Sequence, residues 1–193
     1  MSEHSLLTTN VLPTIMGLQS WGTAVLITLQ ALELHPIVVS KTYEPGELDY
    51  HDAGFQQSGS LQLKAVAERA GGDIRIHGTI SAKVRASCDR CLELIELDVE
   101  PDFDLFYRPI CAIPKEPEIA VPEDELELGF YAGEGVALAD VVTEQMILSV
   151  PSKIVCRASC RGLCPVCGAN RNLLNCGCQL PTGDSPFASL KLG

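Results

Sequence analysis

Ile74-Arg-Ile-His-Gly-Thr-Ile-Ser-Ala-Lys-Val-Arg-Ala86 alternates apolar or small residues with polar ones without a break. A period of two puts Ile74, Ile76, Ile80, Ala82 and Val84 on one side of an extended chain. Arg75, His77, Lys83 and Arg85 fall on the other, so the stretch predicts a long strand with one buried face. The alternation returns downstream, where Ile95, Leu97, Val99, Phe103, Leu105 and Tyr107 stand against Glu96, Asp98, Glu100, Asp102 and Asp104. These two strands flank Cys88-Asp-Arg-Cys91, which falls where an antiparallel hairpin reverses. One polar face is basic and the other acidic. Cross-strand charge pairs contribute about 0.2–1 kcal/mol each, and a solvated face is the simplest role for them.

Working outward, Val25–Leu29, Ile37–Ser40 and Leu61–Ala67 read as further strands, rich in β-branched or alternating apolar residues. Glu44-Pro-Gly-Glu47 and Gly71-Gly72 are turn signals. Residues 109–135 hold Pro109, Pro114, Pro117 and Pro122 and seven acids between Glu116 and Glu134, the pattern of a long, mobile, acidic loop. Cys111 lies there as a free thiol with no partner at ligand spacing. Val136–Val150 predicts a helix whose stripe of Leu138, Val141, Val142, Gln145, Met146 and Leu148 packs on the sheet, and Pro151 ends it. Residues 1–24 carry no period and read as a disordered extension, or as the product of a start codon placed before a working protein that begins near Val25. The expected architecture is α+β. An antiparallel sheet from about Val25 to Arg108 and one packed helix make a core over residues 25–150, followed by a C-terminal cysteine-rich zinc-knuckle module over residues 151–193. Phe187, Leu190 and Leu192 suggest a short docked segment at its end.

The chain has 193 residues, 46% of them apolar, which is enough for one sizeable core. The first 24 residues lack a basic start and a continuous apolar run, so no secretory signal is visible. The best apolar run, Val25–Leu34, is too short and interrupted to span a bilayer. A reducing cytoplasm is the expected compartment, and there paired CxxC motifs read as metal ligands before disulfides. Charge is uneven. Residues 1–150 carry 24 acids against 9 Lys and Arg, a balance of −15. Residues 151–193 carry Asp184 alone against Lys153, Arg157, Arg161, Arg171 and Lys191, a balance of +4. The body would repel a nucleic-acid backbone while Lys153, Arg157, Arg161 and Arg171 could approach one. Equally, Arg90, Arg157 and Arg161 could offset the negative charge of a tetrathiolate metal centre.

Eight of the nine cysteines lie in two groups: Cys88 and Cys91, then Cys156, Cys160, Cys164, Cys167, Cys176 and Cys178. Cys164-Pro-Val-Cys167-Gly is a knuckle sequence, with Pro165 stiffening the turn and Gly168 placed where the backbone needs a positive φ. With Cys176 and Cys178 it makes a tetrahedral set, for which zinc is the default ion. Cys88, Cys91, Cys156 and Cys160 then form a second set by subtraction, and an ion there would clip the hairpin tip to the chain leaving the helix. Two other readings stand beside this one. Cys88, Cys91, Cys164 and Cys167 could face each other as in a zinc ribbon, or the ligands could hold an iron–sulfur cluster. Catalysis is poorly served. His4, His35, His51 and His77 are scattered, an all-cysteine site leaves no position for water, and there is no phosphate-binding loop or nucleophile elbow. A CxxC redox protein is the enzyme alternative, but Cys88 sits at a hairpin tip and not at a helix N-terminus. A zinc-ribbon protein-interaction adaptor is the other.

Several of these stretches together resemble one family. Cys88-Asp-Arg-Cys91-Leu-Glu after a long strand, then Asp102-Phe-Asp-Leu-Phe-Tyr107, look like the core of the YceD-like proteins, the large ribosomal RNA subunit accumulation proteins. Asp140-Val-Val-Thr-Glu-Gln-Met-Ile-Leu-Ser-Val-Pro151 is similar to that family's acidic-then-apolar helix. Cys160-Arg-Gly-Leu-Cys164-Pro-Val-Cys167-Gly-Ala-Asn170 and Cys176-Gly-Cys178 are similar to the tail of many members. The likeness runs from about Val25 to the C-terminus. Asp184-Ser-Pro-Phe187 departs from it, lacking an arginine many relatives carry there, which counts against RNA contact by this tail. The resemblance implies a cytoplasmic, non-enzymatic factor that supports accumulation of large-subunit ribosomal RNA, with that RNA or a basic ribosomal protein as partner.

Overall fold

The computed structural model of the protein describes residues 25–112 and 128–179. The expected extension 1–24, most of the acidic loop and the segment containing Phe187, Leu190 and Leu192 lie outside the described residues. In chain order the strands are β1 (Leu26–Thr28), β2 (Ile37–Tyr43), β3 (Phe55–Gln57), β4 (Leu61–Ala70), β5 (Asp73–Ser87), β6 (Leu94–Val99) and β7 (Asp102–Pro109). A single 3-10 turn (Ile110–Ala112), β8 (Leu128–Tyr131), β9 (Gly135–Ala137) and the helix α1 (Leu138–Ser149) follow.

The alternating stretch is β5, and most of the sheet hangs on it. Ile74, Ile76, Ile80, Ala82, Val84 and Ala86 are buried, as the period requires. β4 and β7 pair with its N-terminal half and β3 and β6 with its C-terminal half, all antiparallel. The expected second strand is divided into β6 and β7 at Pro101, which has no N–H to give the ladder. Its carbonyl still accepts from Ile80 N at 3.0 Å, so the register runs on through the break. The polar faces, read as solvated, also pair across the hairpin while staying exposed: Arg85 meets Glu96 at 3.0 Å and Lys83 meets Asp98 at 3.4 Å. Arg75 adds a two-point contact with Asp104, at 2.7 and 2.8 Å.

Gly71 turns the β4–β5 hairpin in the left-handed region, with Ala70 paired to Asp73 on either side. Gly78 is needed for a different reason. A Cβ there would run into the Lys64 carbonyl oxygen and lie 2.6 Å from Ala65 Cα on β4. Gly78→Ala should therefore push two central strands apart and cost about 1–3 kcal/mol. Urea denaturation reads this directly, and an unmoved midpoint would show that β4 and β5 have slack the packing does not suggest.

The structure corrects the sequence reading in four places. β8 runs parallel to β7, so the sheet is mixed, and it lies inside the stretch expected to be loop. β3 was not expected at all. Val136 belongs to β9, which pairs with β1 in a separate two-stranded sheet, and the helix starts only at Leu138. Leu148 is 70% exposed and leaves the buried stripe. At 100° per residue it points almost opposite Met146, while Leu138, Val142 and Met146, four apart, share a side with Val141 and are buried. These four residues join Ile74, Ile76 and Ile80 in one hydrophobic core.

A buried glutamine fixes the connection between β2 and β3. Gln57 Nε2 donates to the Tyr43 carbonyl at 2.9 Å and the Gly59 carbonyl at 2.7 Å, and its Oε1 accepts from the Tyr50 hydroxyl at 2.9 Å. Both its N–H donors and its carbonyl oxygen are engaged in holding this loop, as a buried amide requires. Glu47 N donates to the Glu44 carbonyl at 3.1 Å, and Gly46 has φ +92, so Pro45-Gly46 makes the turn its sequence signals.

Candidate metal centres

Two groups of four sulfurs form among the described residues: Cys88, Cys91, Cys156 and Cys160, and Cys164, Cys167, Cys176 and Cys178, with the four sulfurs of each within 4.8 Å of one another. These are the two sets read from spacing and subtraction. The alternative grouping of Cys88 and Cys91 with Cys164 and Cys167 does not form.

The first group sits at the tip of the β5–β6 hairpin. Leu92 N donates to the Cys88 carbonyl at 2.9 Å and Cys88 N to the Glu93 carbonyl at 2.8 Å. Leu92 takes φ +60 to allow it, a left-handed conformation that a branched residue adopts at a cost. The chain leaving α1 then comes back across the tip. Asp89 clamps it from both ends, its N–H giving to the Ile154 carbonyl at 2.8 Å and its carboxylate accepting from Ile154 N at 2.6 Å. Arg90 donates to the carbonyls of Ala158 and Cys160, at 3.3 and 3.1 Å. Gly162 passes so close to Arg90 that a Cβ would meet its carbonyl oxygen at 2.9 Å. Cys88, Cys91 and Cys160 end up buried, in a small cluster separate from the main core.

The second group repeats the same knuckle. Gly168 N donates to the Cys164 carbonyl and Cys164 N to the Ala169 carbonyl, both at 2.8 Å, and Gly168 has φ +72. Atom for atom these are the contacts of Cys88, Leu92 and Glu93. In sequence the second knuckle is marked by its glycine as well as its CxxC, whereas the first shows only a CxxC at a hairpin reversal, because leucine occupies its left-handed position. Leu163 and Asn170 bridge, and Arg171 N reaches back to the Gly162 carbonyl at 2.9 Å, so the second knuckle is a miniature hairpin stacked on the first. Asn172 couples the two. Its Oδ1 accepts from Arg161 N at 2.8 Å while its Nδ2 donates to Cys160 Sγ at 3.3 Å.

The donor set fits a thiophilic cation. Cys88 and Cys160 sulfurs are 3.9 Å apart and those of Cys91 and Cys156 3.7 Å, far beyond a disulfide bond. Four Zn–S bonds of about 2.3 Å in a tetrahedron place sulfurs about 3.8 Å apart. A multi-iron cluster is larger than one ion and needs its cysteines further from one another. Backbone and amide N–H groups already point at the sulfurs. The Cys156 amide, 3.3 Å from Cys88 Sγ, pulls the Cys88 thiol down to about 6. The amides of Cys167 and Val166 bring Cys164 down to about 6, and the Asn172 side chain holds Cys160 below the usual thiol range. Their neighbours answer in the opposite direction. The sulfurs of Cys167 and Cys176 push Cys178 up to about 12. Cys91 also stands at about 12, the pull of the Glu93 amide being outweighed by burial and by the sulfurs of Cys88, Cys160 and Cys156. Four sulfurs this close cannot all ionise alone, and a divalent ion removes that conflict.

The basic residues Lys153, Arg157, Arg161 and Arg171 lie along the same wrapping chain. The first three are exposed and Arg171 is half-buried, and none has an ion-pair partner among the described residues. Spacing alone had not found Asp89, Gly162 and Asn172, which orient the sulfur-bearing chain. Cys111 is exposed and apart from both centres. No helix among the described residues is long and apolar enough to cross a membrane.

A family model described as large ribosomal RNA subunit accumulation protein YceD matches residues 76–192, more than half of the chain. Uncharacterized proteins of Mycobacterium bovis and Mycobacterium tuberculosis are 28% identical over 137 residues, 70% of this chain and 61% of theirs. An uncharacterized protein of Mycobacterium leprae is 26% identical over 111 residues, 57% of this chain and 46% of its own. The chain thus spans less than two thirds of the length of these relatives. No solved structure matches it.

Proposed function

Since the chain belongs to the YceD family of large ribosomal RNA subunit accumulation proteins, we propose that it acts as a non-enzymatic cytoplasmic assembly factor for the large ribosomal subunit, built around two structural zinc ions. Cys88, Cys91, Cys156 and Cys160 hold one, and Cys164, Cys167, Cys176 and Cys178 the other. The observation that carries this reading is the pair of closed tetrathiolate groups. Every donor is a sulfur, each set is complete at four, and no position is left for an activated water, so the metal organises the chain and does not catalyse. A redox role for Cys88 and Cys91 fits less well, because each sulfur also meets one from the returning chain, Cys160 at 3.9 Å and Cys156 at 3.7 Å, so the pair is half of a four-sulfur set and not an isolated CxxC.

The partner is large-subunit ribosomal RNA or a basic ribosomal protein. The domain plan that goes with this is an extension over residues 1–24, a core over 25–150 and a metal-binding tail over 151–193. Lys153, Arg157, Arg161 and Arg171 on the tail are the cations available to RNA, and the acidic body suits a basic protein. Depleting the protein in its host should lower the ratio of large- to small-subunit ribosomal RNA, and wild-type protein should restore it while Cys88→Ser should not. An unchanged ratio on depletion would remove the assembly reading whatever the metal content.

A further inference from the structure

We infer that the outer side of α1 is a docking trough for a basic segment of a partner protein in which Lys or Arg alternates with apolar residues. This rests on the ribosomal reading above and chooses between its two partner classes. The trough has two parts. A cavity of about 610 Å³ lies between the helix and the β2–β3 loop, with Glu47, Asp49, Asp140 and Glu144 in its lining. A second, of about 540 Å³, continues along the helix toward Pro151, Ile154 and Asp89 at the first metal centre. Ile147 and Leu148 wall both cavities, and they are 36% and 70% exposed.

A single exposed leucine on a helix needs no explanation. Two adjacent apolar side chains forming the shared wall of two cavities, beside four carboxylates and with no Lys or Arg in either lining, are a composite surface. The acids are not spent elsewhere in equal measure. Asp49 faces His51 at 3.2 Å, and Glu47 accepts the Glu44 N–H at 2.9 Å. Asp140 and Glu144 have no ion-pair partner among the described residues. Asp140 has a local reason to be acidic, standing in the first turn of the helix where the dipole favours it, but Glu144 one turn later has none. The opposite wall is already ordered, because Gln57, Tyr50 and the Pro45-Gly46 turn fix the loop that carries Glu47 and Asp49. A preformed site avoids the cost of ordering it on binding.

Charge decides the occupant. A phosphate backbone is repelled by four carboxylates, whereas Lys and Arg lay their apolar stems along Ile147 and Leu148 and carry their heads to Asp140 and Glu144. Apolar residues between the cations fill the second cavity. A body with a balance of −15 over residues 1–150 also draws such a segment in from a distance.

The test uses the full metal-loaded chain and a fluorescent synthetic peptide of alternating Lys or Arg and Leu, read by anisotropy. Asp140→Lys/Glu144→Lys should weaken binding by at least about tenfold, and so should Leu148→Ser. Metal content and circular dichroism serve to show that both variants remain folded. A peptide with Glu in place of the cations should bind the double lysine variant better than wild type. Unchanged affinity in both variants would overturn the proposal. So would equal binding of a polylysine of matched charge, since the apolar wall would then do nothing. A single-stranded fragment of large-subunit RNA that displaces the peptide from this face would overturn it in favour of RNA. In cells, a double variant that has lost the peptide but sustains normal ribosomal RNA levels would reject the assembly partner while leaving the trough. Normal ribosomal RNA levels without the whole protein would instead reject the assembly role, leaving the trough to stand on the peptide titration.

Discussion

Cys88→Ser protein is expected to carry one zinc ion where wild type carries two, and to expose the chain after Pro151 to protease. Cys88 is fully buried, and its sulfur meets Cys160, 72 residues away, at 3.9 Å. A metal at this point closes a long loop, and structural zinc sites of this kind contribute about 10–16 kcal/mol in small peptides. The direct hydrogen-bond tethers at the same junction are few: the Asp89–Ile154 pair, the Arg90 contacts, the bond from Leu163 N to the Arg90 carbonyl at 2.8 Å and that from Cys156 N to the Cys88 sulfur at 3.3 Å, whose acceptor the substitution removes. Hydrogen bonds contribute about 1 kcal/mol each, so they are too weak to hold the tail alone. The sheet itself should survive, because Ile74, Ile76 and Ile80 pack against α1 without help from the sulfur cluster. Metal analysis and limited proteolysis read the two consequences separately. A variant that keeps two ions, or a tail that stays resistant, would dismiss the hairpin-tip centre.

The parts of the fold legible from sequence are those with a single local cause. The strict alternation of β5 is one, because each residue's face is set by its neighbours along the chain. The Pro45-Gly46 and Gly71 turns are others. The centre at Cys88 was legible only by subtraction, since Leu92 fills the position that Gly168 marks in its twin. β8 and β9 are four and three residues long, and their pairing partners lie far away in sequence, at β7 and β1. A strand that short carries too little periodicity to be read, and acid-rich surroundings pointed to loop. Leu148 was misplaced for a related reason: a stripe tolerates one residue out of phase, and only the contacts show which residue it is. Asp89 and Asn172 were invisible as parts of the site because their roles are to hold backbone and sulfur, and nothing in their spacing says so.

Cys176→Ser should show the opposite asymmetry. All four sulfurs of its group come from residues 164–178, so the ion they share is lost without removing any ligand of the hairpin-tip centre. Cys176 and Cys178 are exposed and joined only by Gly177, which has φ +62, so their arm has little besides the metal to keep it in place. The Leu163–Asn170 hairpin is better secured, by the Cys164, Gly168 and Arg171 backbone bonds, and should persist in part. Asn172 follows it directly, and its hold on Cys160 Sγ depends on that anchorage. Loss of an outer-shell partner typically weakens a metal site by about 10–100-fold. The variant should therefore keep one zinc ion, at the first centre, but surrender it to a competing chelator at about 10–100-fold lower concentration than wild type requires. Asn172→Ala, with both sets of cysteines intact, should reproduce the weakening at the first centre while retaining two ions. If Cys176→Ser leaves the chelator titration of the remaining ion unchanged, the two centres are independent and Asn172 is only a loop residue. If it strips both ions, the second knuckle is a precondition for the first, and the order of assembly runs from the tail inward.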